Sequence, residues 1–383
     1  RIYRVLIICP LSIMQSAWQA DLFKFAMHRK VAVAYGDRLK RKAVVESDAE
    51  FVIINYDGVE IIADDIAKQN FDLIIIDEAN AYKTVTTNRW KTMQRILTDR
   101  TWLWMMTGTP AAQSPVDAFG LAKLAVPQNV PRFYGAFRDL TMHNISKYRW
   151  IPKPNADQIV FDALQPAIRF EKKDCLDLPE VTYVSRDAPL TPQQKKYYDI
   201  LKKDMLMVAD GEEVSTVNAA IQLNKLLQIS GGAVYSDAGA IVEFDVSNRL
   251  RVIEEVINEA SHKVLVFVPF THTLELLNVY LKDAGISCEI INGSVTVNKR
   301  TDIFKRFQES QEPRVLLIQP QAASHGVTLT AADTIIWYAP VTSIETYLQA
   351  NARIDRQGQK NKMTIVHIKG SPVETRLYNC LLY

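Results

Sequence analysis

A chain of 383 residues has room for two or three domains, each with its own core. Its 48% hydrophobic and 23% charged residues exclude disorder, collagen and low-complexity repeats, and no apolar run approaches the roughly 18 residues of a membrane span. A net charge of +2 neither demands nor forbids nucleic acid, so any site for a polyanion must be a local groove.

The opening RIYRVLIICPLS is too short in its apolar part for a signal peptide and reads as a strand. Short β-branched runs follow at Val5–Cys9, Val31–Tyr35, Phe51–Asn55, Asp72–Ile76 and Thr101–Met106, with helical patterns at Ile13–Met27 and Thr87–Thr98. Continuous apolar runs of this length suit parallel strands covered on both faces. The stretch from about 111 to 261 differs: it holds most of the prolines and a helix starting at Pro192 with Thr191 as N-cap. From Lys263 the alternation restarts, with strands at Lys263–Phe267, Cys288–Ile291, Arg314–Ile318, Thr334–Tyr338 and Met363–Ile368. Helices are expected at Thr271–Ala284, Val297–Gln308 and Ser343–Ile354. The reading is α/β: two tandem parallel-sheet lobes, 1–177 and 178–383, with a helical insertion between them (about 111–177 and, leading into the second lobe, 190–261). The four cysteines, Cys9, Cys175, Cys288 and Cys380, show no CxxC and no neighbouring histidine, which fits reduced cytoplasmic thiols rather than zinc or disulfides.

Three segments carry chemistry. Leu73–Ile76 ends abruptly in Asp77-Glu78, which puts carboxylates at the C-terminal edge of a parallel sheet, where α/β ligands bind. One acid there can hold Mg²⁺ through its water shell while the next orients an attacking water; an acidic turn meeting solvent is the plain alternative. Trp102–Met106 runs into Thr107-Gly108-Thr109-Pro110, small residues that allow close approach to a neighbouring site or simply form a turn. Arg353 and Arg356, three apart in Gln349–Gln359, would share a face at a helix end. They can clamp a transferring phosphoryl group or merely complement the helix dipole.

In this order the segments resemble the Swi/Snf-like ATPases of helicase superfamily two, a resemblance that spans nearly the whole chain. Ile7–Ser12 with Trp18 is similar to their motif Ia, Ile53–Tyr56 to Ib, Asp77–Asn80 to the DEAH box, and Thr107–Pro110 with Gln113 to motif III. Leu190-Thr191-Pro192-Gln193-Gln194 with Tyr198 resembles the L-T/S-x-x-Q-x-x-x-Y segment. Val264–Phe270 is similar to motif IV, Ile291–Ser294 to the segment after it, Ser324–Leu329 to motif V and Gln349–Gln359 to motif VI. The resemblance implies RecA-like lobes, ATP and Mg²⁺ as cofactors, and movement on double-stranded DNA. It also implies roles: Asp77 at the metal, Glu78 at the hydrolytic water, Arg353 and Arg356 as guanidinium groups for catalysis, and Gly326 near the nucleotide. Thr107, Gly108, Thr109 and Gln349 would couple nucleotide state to movement. Ser12, Ser294, Ser324 and Thr328 would contact phosphates of the nucleic acid without reading its sequence.

Two departures stand out. None of the fourteen glycines precedes a lysine, so there is no G-x-x-x-x-G-K-[ST], and the family places that P-loop just before motif Ia. The expectation is an N-terminal segment lying outside this sequence, and poor ATP binding with no hydrolysis by residues 1–383 alone. In addition, Asn80 stands where the family has histidine, which puts the coupling between motifs II and III in question. The short middle region resembles compact bacterial or phage members, acting in cytoplasm or nucleoid. A non-catalytic nucleic-acid clamp and an RNA or strand-separating helicase are the alternatives.

Overall fold

Five strands, the first four rich in Val or Ile, build the first sheet: β1 (Val5–Cys9), β2 (Val31–Ala34), β3 (Phe51–Asn55), β4 (Leu73–Ile76) and β5 (Trp102–Met105), in the order β2-β3-β1-β4-β5. Every pairing is parallel. β1 is buried at every position because helices cover both faces of the sheet. Leu6 and Ile8 enter one core and Val5, Ile7 and Cys9 the other, the two-residue alternation of a strand. The register sets Ile8 beside Ile76 and Cys9 beside Asn55, so the loops leaving β1, β3 and β4 emerge together at one edge.

The computed structural model describes residues 4–111, 113–146, 149–170, 175, 177–211, 216–235, 241–323 and 327–382. The chain divides into two compact units, Arg1–Glu171 and Lys172–Tyr383. Beyond its sheet, the first unit carries the helices Ala118–Ala125, Tyr134–Thr141 and Ala156–Leu164 and an antiparallel hairpin of β6 (Met142–Ser146) and β7 (Arg149–Pro152). The hairpin was not expected in a stretch read as helical; Pro152 at its end masks the strand pattern.

β5 is an open edge. It pairs with β4 alone among the described strands, and Trp102 and Trp104 stand 74% and 57% exposed. Leu103 and Met105, on the opposite face, pack on the core.

The second unit's sheet has six parallel strands, ordered β12-β13-β11-β14-β15-β8. They are β8 (Val181–Asp187), β11 (Lys263–Phe267), β12 (Cys288–Ile291), β13 (Val315–Ile318), β14 (Ala332–Trp337) and β15 (Met363–Lys369), with β9 (Ala233–Tyr235) and β10 (Ile241–Glu243) forming a separate hairpin. β11 sends Val264 and Val266 to one core and Leu265 and Phe267 to the other. β8 escaped the sequence reading: it is an edge strand with largely exposed residues, lying just after Pro179, yet it pairs with β15 over seven residues.

The L-T-x-x-Q segment is a capping box. Gln194 N–H donates to Thr191 Oγ1 (3.4 Å) while Thr191 N–H donates to Gln194 Oε1 (3.1 Å). Gln194 Nε2 also donates to the Ile229 and Ser230 carbonyls, and Ser230 bonds Ser371. Ser371 donates to Glu374, a fully buried carboxylate paired with the buried Arg249 at 2.8 and 2.9 Å. The signature therefore ties the leading helix Pro192–Gly211 to the last one, Pro372–Leu382.

Candidate nucleotide and nucleic-acid site

β4 delivers Asp77 and Glu78 to the C-terminal edge of the first sheet, as expected. The chain turns there through Glu78, the one non-glycine residue with positive φ (48°) among the described residues. Such left-handed geometry disfavours a branching Cβ and persists where surroundings hold it. Here three contacts hold it. Asp77 N–H donates to the Ile8 carbonyl, Ala79 N–H donates to the Met106 carbonyl, and the Tyr56 hydroxyl donates to the Asp77 carbonyl at 2.6 Å. Burial, then the negative charge of Asp77, pushes the Tyr56 phenol well above its ordinary value, so it remains a donor. Arg89 lies 4.9 Å over the Tyr56 ring and pairs with Asp57.

The Asp77 side chain is fixed at both oxygens: Oδ1 accepts the Glu78 N–H (2.9 Å) and Oδ2 accepts the Trp18 indole N–H (2.9 Å). Each oxygen keeps further acceptor capacity. Among the described residues no group of three His, Cys, Asp or Glu could hold a metal ion by itself. That donor set fits Mg²⁺, which typically takes one or two carboxylates, keeps waters and finds its remaining ligands on phosphate.

Two polar links join the acidic turn to the loop after β5. Asn80 Nδ2 donates to Thr109 Oγ1 (3.1 Å), and Lys83 Nζ reaches Gln113 Oε1 (3.1 Å) and Asp117 (3.3 Å). The asparagine thus makes a direct bond between the two segments whose coupling its presence put in question. Thr107 Oγ1 accepts the Thr109 N–H, and Gly108 is exposed between them. Ser12 lies half-buried in the helical turn Leu11–Ile13 after β1, at the same edge.

In the second unit the helix Ile344–Asn351 stops short of the expected Ile354, so Arg353 and Arg356 leave in a turn rather than along one helical face. Asn351 ends the helix by accepting the Trp337 indole N–H, and buried Gln359 clasps the turn through the Ala332 and Ile354 carbonyls. Arg353 is buried and donates to the Val327 carbonyl; Arg356 is half-exposed, 3.4 Å from Thr328 Oγ1. The structure thus brings Arg353, Arg356 and Thr328 together where β14 and β15 begin. Ser294 lies after β12, at the opposite end of the sheet, with its hydroxyl 2.7 Å from Asn292 Oδ1. Gln349 donates to Glu345 on the helix. Ser324 and Gly326 lie outside the described residues.

In the sequence Trp18 and Tyr56 stand out only as motif positions, and Lys83 and Asp117 belong to no motif. A signal existed for Lys83, a lone basic residue five positions after Glu78; Trp18 and Tyr56 needed the strand register to place them.

Tandem parallel lobes, the first with a locked Asp-Glu turn at its strand ends, are the architecture of helicase superfamily two. Residues 2–230 match the SNF2-related domain, and residues 248–358 match the Helicase conserved C-terminal domain. The chain is 25% identical to the Chromodomain-helicase-DNA-binding protein 1-like of Danio rerio, across 98% of its own length and 37% of the relative's. It is 24% identical to an uncharacterized ATP-dependent helicase of Mycoplasma genitalium, across 95% and 34%. The chain therefore spans about a third of the length of these curated relatives. The SWI2/SNF2 ATPase core of Sulfolobus solfataricus, solved in complex with dsDNA, aligns with 100% of this chain and 80% of that one, at 21% identity and a TM-score of 0.43. The chain belongs to the SNF2-related family of helicase superfamily two.

Proposed function

We propose that this chain is the two-lobed core of a motor that couples ATP hydrolysis to movement on double-stranded DNA. The observation that carries it is the acidic turn. A left-handed Glu78 and an Asp77 held at both carboxylate oxygens form a preorganised pair, of a kind a solvent-facing turn has no reason to keep. Asp77 would hold Mg²⁺, whose chemistry there would be charge neutralisation on the phosphates. Glu78, beside it, orients the attacking water and accepts its proton. Arg356, half-exposed and beside Thr328, is the one of the two arginines proposed to meet a phosphoryl group, while buried Arg353 shapes the turn that presents it. Thr107, Gly108 and Thr109 relay the state of the acidic turn through the Asn80 bond, and Gln349 acts from the second unit. Ser12, Ser294, Ser324 and Thr328 are the proposed phosphate contacts on DNA, with Gly326 beside the nucleotide.

The phosphate-cradling loop arrives, in this proposal, on a further strand that pairs along β5. Two indoles on an unpaired edge strand support this, because such an edge is a template for another strand. No described helix is long and apolar enough to cross a membrane, and a place beside DNA in the cytoplasm or nucleoid accords with the proposed partner.

The test is ATPase turnover with duplex DNA, single-stranded DNA or RNA, using a polypeptide that carries a phosphate-cradling loop as well as residues 1–383. Duplex stimulation that Glu78→Gln abolishes while nucleotide binding persists is the expected result, with DNA affinity falling steeply as salt rises. Binding without turnover would favour the clamp, and preferential stimulation by RNA or single strands the strand-separating alternative. Turnover by residues 1–383 alone would refute the β5 assignment.

A further inference from the structure

The helix after β1 is wound with five-residue hydrogen-bond spacing over Met14–Gln19 before it continues as an ordinary helix, Ala20–Phe25. Such π-type winding is uncommon and recurs at functional positions, because the extra residue per turn re-aims a side chain. Here it carries Trp18. The ring packs against the core formed by Ile7, Met14 and Ile75, while its one polar atom donates to Asp77 Oδ2 across 59 residues of sequence. The indole supplies packing and one aimed donor at once, whereas Phe would supply a smaller ring and no donor.

We propose that Trp18 is a positioning residue for Asp77, acting through the indole N–H. Resting on the reading of Asp77 as the Mg²⁺ holder, the proposal adds a residue that sets how that carboxylate faces the ion. The Asp77 carboxylate turns about two side-chain torsions, and the Glu78 N–H constrains only one of its oxygens. The indole constrains the other, so neither oxygen must be reoriented when a cation with its hydration shell approaches. Tyr56 acts on the backbone of the same turn, and the two aromatic donors together immobilise both halves of the residue.

Trp18→Phe keeps an aromatic ring against the core and removes the donor; Trp18→His restores a ring N–H. Mn²⁺ serves as the probe, its free concentration read by electron paramagnetic resonance on the full chain, with circular dichroism confirming the fold. Trp18→Phe is expected to raise the half-saturating Mn²⁺ about ten- to a hundredfold, the scale of losing one hydrogen bond to a charged, metal-holding group, and Trp18→His to recover most of that loss. With Trp18 in place, Asp77→Asn should move the Trp18 indole ¹H–¹⁵N resonance more than those of the other five tryptophans. An unchanged Mn²⁺ dependence in Trp18→Phe, or a histidine no better than phenylalanine, overturns the positioning role while a crippled Asp77→Asn still upholds Asp77 as the metal holder. Mn²⁺ binding that survives Asp77→Asn overturns the metal assignment itself, and the positioning role with it.

Discussion

Gly120 offers a direct way to disturb the acidic turn from behind. It lies in the helix Ala118–Ala125, whose backbone presses on the turn's far side. A Cβ at this position would stand 2.1 Å from the Lys83 carbonyl oxygen, 2.5 Å from its carbon and 2.8 Å from the Tyr82 oxygen. These are backbone atoms, so no side chain can swing away, and the helix cannot slide without losing the 2.9 Å bond from the Trp90 indole to the Gly120 carbonyl. Restoring ordinary contact, about 3.5 Å, requires a separation on the order of 1 Å. Overpacking of this kind costs about 1–3 kcal/mol, partly offset by the roughly 0.5–1 kcal/mol by which Ala outdoes Gly in a helix. Gly120→Ala should therefore lose about 1–2 kcal/mol and lower the melting temperature by about 2–8 °C for a unit of this size. Amide exchange across Ala79–Lys83 should quicken, because Asn80 and Lys83 lose their reach to Thr109 and Gln113. Gly135→Ala is the control: in a helix with nothing within 4 Å of its Cβ, it should be neutral or stabilising. A Gly120→Ala protein that melts with the parent and shows unaltered exchange in the turn would refute the reasoning.

Other outcomes follow from the same geometry. Arg356→Ala should lower kcat by about a thousandfold at unchanged thermal stability, the arginine-finger scale. Arg353→Ala should lower both, because its guanidinium is buried on the Val327 carbonyl; near-normal kcat in Arg356→Ala would remove it from the site. Asn80→Ala should leave nucleotide binding intact and weaken DNA stimulation of turnover, as the bond to Thr109 disappears; unchanged stimulation would exclude that link. His367 is buried against Tyr347 and Tyr378, and burial, with help from Lys369, lowers its pKa from 6.5 to about 4. Its unfolded form takes a proton below pH 6.5 while its folded form does not until about pH 4. Stability is thus full above pH 6.5 and declines by about 3 kcal/mol on the way to pH 4. Urea unfolding of His367→Gln should show a flatter acid limb over that range, and an unchanged one would show that other groups set it.

The sheets were legible because their strands are buried on both faces, which leaves runs such as Val5–Cys9 and Val315–Ile318 almost wholly apolar. β8 was not, since an edge strand of a parallel sheet needs no such run and the seven pairings with β15 are set by the neighbour. Asp77 and Glu78 were legible as an abrupt end to such a run. What holds them was not: Trp18, Tyr56 and Gly120 reach the turn from 59, 21 and more than 30 positions away, through register and winding that no local pattern encodes. The arginine turn was misplaced by three residues of helix, because Asn351 spends its side chain on Trp337, and that stop depends on a partner in another strand.

The pairing of Arg249 with Glu374 has a practical outcome for anyone trimming or tagging this polypeptide. The helix Pro372–Leu382 carries that counter-ion and also seats Tyr378 and Leu381 in the core, so removing it would leave the Arg249 guanidinium without its carboxylate and uncover the apolar surface beneath. Loss of Pro372–Leu382 would therefore unsettle the second unit as a whole rather than one helix of it.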